Sequence, residues 1–177
     1  MIRLFLAFTS LLPLKINHSF GSFIGYLLYL FNSEAKSVSK QNLEICFPGL
    51  SELELKSLLK KVLTETGKGL TESGLIWNQN FTDNAKLIRN INGEHYLDSS
   101  KKTILLVPHM GCWEITGRVL AEKRKVTFMY RPLRSNKQND YLFSRRNQGT
   151  LTRASADKLG ILKIQRALNN GDLVGML

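Results

Sequence analysis

Short apolar runs alternate with helical patterns through the second half of this chain, and that alternation restricts the fold more than any other feature. Thr103–Val107 and Val126–Tyr130 are too short for stable helices and rich enough in branched and aromatic residues for buried strands. Leu87–Ile91 is a weaker strand candidate, and Leu173–Leu177 begins another. Helical spacing runs through Trp113–Ala121, Lys137–Asn147 and Leu159–Leu168. Lys123, Arg124 and Lys125 suit the carboxyl end of the first, where the helix dipole is negative. Asn169-Asn170-Gly171 stops the last. The order predicts an α/β fold, a mainly parallel sheet flanked by helices. At 177 residues and 43% apolar content, one domain with a sizeable core is expected. A terminal strand with no covering helix leaves the sheet poorly covered, so the carboxyl-terminal part of a larger domain is expected to be missing. The 177-residue chain alone is then expected to have weak activity or none.

Pro108-His109-Met110-Gly111-Cys112-Trp113-Glu114 follows the strongest strand candidate directly. His109 therefore falls at the strand's carboxyl end, the edge where open α/β sheets place ligands and reactions. On a continuous helix, residues five apart point about 140° away from each other. With His109 in a turn and Glu114 in the first helical turns, the bend can bring them together. A neutral imidazole then accepts a proton from a hydroxyl while the carboxylate orients it and stabilises the imidazolium. The plainer alternative is a satisfied loop histidine beside a glutamate that complements the helix dipole. Cys112 is read as a small packing residue, with an acyl-accepting thiolate at a helix start as the rival.

The amino-terminal residues Met1 to Phe31 differ from the rest. Leu4–Leu14 is almost wholly apolar, Lys15–Ser19 interrupts, and Phe20–Phe31 is apolar again. Neither piece has the roughly 20 residues that cross a bilayer. Together they are expected to form a membrane anchor, either a kinked span or a hairpin in the interface. A cleaved signal peptide is disfavoured by the second apolar stretch, and Lys36 and Lys40 place the body on the cytoplasmic side. Two core helices of a soluble protein are the alternative, and His18 is read as an interfacial or packing residue.

Ser51 and Glu54 form a capping box with Leu50 and Leu55 as its staple. Leu55, Leu58, Leu59, Val62 and Leu63 then follow helical spacing and bury one face. Gly67, Gly69 and Gly74 interrupt this pattern, and a second helix is expected through Leu70, Leu75, Ile76 and Trp77.

Twenty-five Lys and Arg against 14 Asp and Glu give a net charge of +11, which attracts anions of any kind. No zinc-finger spacing, basic zipper or RNP-type motif points to nucleic acid. Cys46 and Cys112 make no disulfide framework and no Cys-x-x-Cys pair, which fits a reducing compartment.

Several segments in order resemble one family, the bacterial lipid A biosynthesis late acyltransferases of the lauroyl/myristoyl type. Asn42-Leu43-Glu44-Ile45-Cys46-Phe47-Pro48 is similar to their "NL…CFP" segment. His109 through Glu114 is similar to their H-x4-D/E box, with Cys112 where many relatives have asparagine. Tyr130-Arg131-Pro132 resembles their "YRP" strand end, and Arg146 falls where the family has a further motif arginine. Arg145 is read as its solvated neighbour and Tyr130 as packing. The resemblance implies a glycerolipid-acyltransferase-like fold, with residues 1–31 as a membrane segment and residues 32–177 as the amino-terminal part of an acyltransferase domain. It implies transfer of a fatty acyl chain from acyl carrier protein to a hydroxyl of a phosphorylated glycolipid, the lipid A precursor, at the cytoplasmic face of the inner membrane. His109 would be the general base and Glu114 its orienting carboxylate. Arg146 and Arg131 would bind substrate, either the oxyanion or a phosphate; for Arg131 a structural ion pair is the alternative. Neither a metal nor a cofactor is implied. A same-fold enzyme acting on a glycerolipid or another glycolipid, and a non-catalytic membrane-associated fragment, are the competing readings.

Overall fold

The computed structural model describes residues 2–97, 101–130, 145 and 150–176. It divides into two compact units, residues 1–78 and 79–177.

The first unit is helical: α1 (Ile2–Ser10), α2 (Leu14–Leu30), α3 (Glu34–Cys46) and α4 (Glu52–Asn78). The helical break falls at Leu11–Pro13, where Pro13 precedes α2; the polar stretch Lys15–Ser19 lies inside α2. Ser51 and Glu54 make the expected box, with the Ser51 amide donating to the Glu54 carboxylate at 2.8 Å. Gly67, Gly69 and Gly74 do not end this helix, contrary to the expected break, because two of them serve packing. A Cβ on Gly67 would collide with the carbonyl of Gly21 and the backbone of Gly25, so α2 and α4 cross with their backbones in contact. Gly74 meets Thr9 and Leu6 of α1 in the same way.

Polar contacts fix this crossing. The buried Asn17 amide donates to the carbonyls of Thr9 (2.9 Å) and Thr71 (3.1 Å). His18 Nε2 lies 2.5 Å from a Glu72 carboxylate oxygen, so His18 has a partner across the helices. Ser33 caps α3, whose Leu43 packs with Leu59 and Leu63 of α4. Outward, α1 and α2 expose Leu4, Phe8, Ile16, Phe23 and Leu30, and the break between them exposes Leu11. No helix among the described residues is long and apolar enough to cross a membrane.

The second unit is α/β. It runs α5 (Phe81–Ala85), a short 3-10 turn at Glu94–Tyr96, β1 (Thr103–Leu106), α6 (Glu114–Lys123), β2 (Val126–Tyr130), β3 (Leu151–Ser155), α7 (Lys158–Asn169) and β4 (Leu173–Met176). Among the described residues the sheet has four strands, all parallel, in the order β1-β4-β2-β3. Strand residues alternate between faces. Val126, Phe128, Leu151 and Leu173 pack with Leu120 of α6, while Val174 and Ala154 pack with Ile164 and Ala167 of α7. Helices therefore cover both faces, the arrangement the alternating pattern predicts.

One expectation is corrected here, and one strand is added. Leu87–Ile91 is not a strand: Leu87 and Ile88 donate their amides to Asn84 and Ala85, closing the turn that ends α5. Leu151–Ser155 is a strand that apolar runs alone did not reveal, since Thr152, Arg153 and Ser155 break the pattern. The expected helix Lys137–Asn147 lies outside the described residues except for Arg145, which is helical.

Candidate active site

Because all four strands run parallel, their carboxyl ends share one edge of the sheet, and His109 stands there. Val107 extends β1 by donating its amide to Met176 at 2.8 Å, and its side chain is buried. The chain then leaves the sheet through Pro108, His109 and Met110, all exposed. Gly111 turns it back toward α6 at φ 55°, a left-handed conformation suited to glycine.

Trp113 stands at the amino-terminal cap of α6 and Glu114 is the first helical residue. The His109 and Trp113 rings lie with centroids 4.9 Å apart at 58°. Trp113 in turn packs against the buried cluster beneath α6 and β2. The exposed imidazole is thus placed by an anchored indole, and Glu114 follows that indole directly. Half-buried Glu114 is the acidic residue of the first turn of α6, where the positive end of the helix dipole favours an acidic side chain.

Arg118, one turn further along α6, is a buried arginine beside the candidate site that sequence reasoning missed. It is 6% exposed, and its guanidinium donates to the carbonyls of Gln79 (2.7 Å) and Arg145 (3.4 Å). Burial holds its pKa below the ordinary arginine value, while the nearby Glu114 carboxylate opposes that shift. The signal was its spacing of four residues from Glu114, which puts both on one helix face.

Arg145 is exposed, and its backbone carbonyl accepts from the Arg118 guanidinium. Arg131 and Arg146 lie outside the described residues. Tyr130, next to Arg131 in sequence, ends β2 half-buried, with the Arg153 guanidinium 5.9 Å from its ring centroid. Two strand spacings, about 10 Å, separate β1 from β2 along this edge. Cys112 is half-buried in the turn before α6, and its carbonyl accepts from the Ile115 amide at 3.2 Å. In the helical unit, Phe47 and Pro48 line a cavity of 510 Å³ with Tyr29, Leu55 and the lysines 36, 40 and 56.

A family model described as bacterial lipid A biosynthesis acyltransferase matches residues 2–177. The chain is 31% identical over 170 residues to the lipid A biosynthesis lauroyltransferase of Escherichia coli K12, covering 92% of this chain and 54% of that protein. A lipid A biosynthesis acyltransferase of Haemophilus influenzae is 28% identical over 66% of this chain and 37% of its own length. The palmitoleoyltransferase of Escherichia coli K12 is 26% identical over 68% and 40%. The chain thus spans about half the length, or less, of these relatives. Matched across nearly all of its residues, it belongs to the bacterial lipid A biosynthesis acyltransferase family.

Proposed function

We propose that the protein to which these residues belong transfers a fatty acyl chain from an acyl carrier protein thioester to a hydroxyl of a lipid A precursor. The observation that carries the reading is an exposed imidazole at the carboxyl edge of a parallel sheet, held against Trp113, the residue directly before the carboxylate that opens α6. His109 takes the proton from the acceptor hydroxyl, and Glu114 orients the ring and stabilises its cation. The acceptor oxygen attacks the thioester carbonyl, forming a C–O bond and a tetrahedral oxyanion. Collapse breaks the C–S bond, and the imidazolium returns its proton to the departing thiolate. Arg131 and Arg146 bind the oxyanion or an acceptor phosphate, tasks that suit a guanidinium fork. Family membership and the names of the relatives support the acceptor class.

The net charge of +11 favours two anionic substrates, an acidic carrier protein and a phosphorylated lipid. The apolar faces of α1 and α2 support residence at a membrane surface, with residues 1–31 in the interface of the cytoplasmic leaflet. The test is transfer of a radiolabelled acyl group from acyl carrier protein in mixed micelles. A phosphorylated glucosamine disaccharide lipid, glycerol 3-phosphate and a lysophospholipid are offered as competing acceptors. Label is expected in the disaccharide lipid; label in either glycerolipid instead would overturn the acceptor assignment.

A further inference from the structure

Arg118 has the burial of a core residue and the charge of a surface one. An apolar side chain at this position of α6 would avoid the desolvation that a guanidinium suffers there. Its placement makes three connections that an apolar residue cannot make. Nη1 donates to Gln79 at the head of the second unit, and Nη2 donates to Arg145, the residue before Arg146 in the chain. Four residues before it on the same face stands Glu114, the carboxylate whose charge favours the buried cation. Two carbonyl acceptors hold the guanidinium in one plane, and a fixed cation fixes the preferred position of the carboxylate it attracts.

We propose that Arg118 is a positioning residue for Glu114, clamped by the Gln79 and Arg145 carbonyls so that the carboxylate stays aimed at His109. The proposal rests on the reading of His109 and Glu114 as base and orienting carboxylate. It also ties the start of the Arg145-Arg146 pair to the same helix face that carries the carboxylate.

The readout is the tautomer of His109, because the hydrogen bond made by one ring nitrogen decides where the proton sits. Nitrogen-15 correlation spectra of the imidazoles at pH 8.5 report this with no substrate present. The chain has three histidines, so exposed His95 and the paired His18 serve as internal references. In the wild-type chain His109 is expected to favour one tautomer by about tenfold, the bias a charge-assisted hydrogen bond supports. Glu114→Gln and Arg118→Gln should each bring the ratio to within about twofold of that of His95. The double variant should add nothing further. Arg118→Lys keeps the charge but cannot span both carbonyls, so an intermediate bias is expected; it decides the matter if Arg118→Gln fails to fold, as the reference signals will reveal. An Arg118 variant that folds and keeps the full wild-type bias, while Glu114→Gln loses it, overturns the proposal. If Glu114→Gln itself leaves the His109 ratio unmoved, the base–carboxylate reading fails, and this inference fails with it.

Discussion

The imidazole of His109 rests on the indole of Trp113, and the indole rests on the core that α6 and β2 share. A loop histidine has no reason of its own to hold one position; here a partly buried aromatic supplies it. Trp113→Ala should destabilise the protein by about 2 kcal/mol, less than the roughly 3–5 kcal/mol typical of a fully buried tryptophan, because the ring is only half-buried. Trp113→Phe keeps a ring under His109 and should stay within about 1.5 kcal/mol of wild type. Thermal unfolding checks both. Acyl transfer should fall further in the alanine variant than stability explains, since misplacing a base by about 1 Å costs on the order of 100-fold.

His109 is exposed, so removing it separates chemistry from folding. His109→Ala should lower turnover by about 10²–10⁴-fold, the range for loss of a positioned general base. Its unfolding temperature should match wild type, because an exposed substitution of this kind changes stability by about 0.5 kcal/mol or less. Glu114→Gln should lower turnover by less, since the imidazole survives and only its orientation suffers. Near-normal turnover in His109→Ala would remove His109 from the mechanism.

The strands that carry the site were legible because their apolar runs are continuous: β2 occupies the predicted residues, and β1 ends one residue early. Strand β3, outermost among the described strands, was not, because Thr152, Arg153 and Ser155 give it no apolar run, and its pairing with β2 is long-range. Glycines misled in the opposite direction. In α4, Gly67 and Gly74 look like helix breaks in one dimension, yet they are contact points for α2 and α1 in three. At the site, the turn holding His109 was readable from its place between a strand and a helix, and the helix start, expected at Trp113, falls one residue later. For Arg118 the spacing from Glu114 was visible, but nothing local shows that a basic residue on a helix will be buried.

The glycines of α4 make a paired test of this packing. Gly67→Ala sets a methyl group against the backbone of α2, and overpacking of that kind should cost about 1–3 kcal/mol. Gly69, two residues along the same helix, is exposed and has open space around it. Gly69→Ala should therefore stabilise the helix by roughly 0.8–1 kcal/mol through helix propensity alone. Denaturant titration of both variants reads the difference; equal effects would mean that α2 and α4 do not meet at Gly67.

Asp157 links β3 to α7 and predicts how stability depends on acid. Its carboxylate accepts from the Gly160 amide at 2.8 Å, capping α7, and from the Ser155 hydroxyl at 2.7 Å. These bonds, the amide first, hold its pKa below the ordinary aspartate value. A carboxyl group depressed on folding stabilises the protein above its unfolded pKa of about 4, and that contribution disappears as pH falls through the folded value. Asp157→Asn retains a capping amide oxygen but has no charge to titrate. Wild type should therefore unfold at a higher temperature than Asp157→Asn at pH 7, and the gap should narrow steadily below about pH 4. The difference between the two proteins cancels the titration of distant carboxylates, provided the sites are independent. A gap of the same size at pH 7 and pH 3 would show that the charge on Asp157 contributes nothing to the cap.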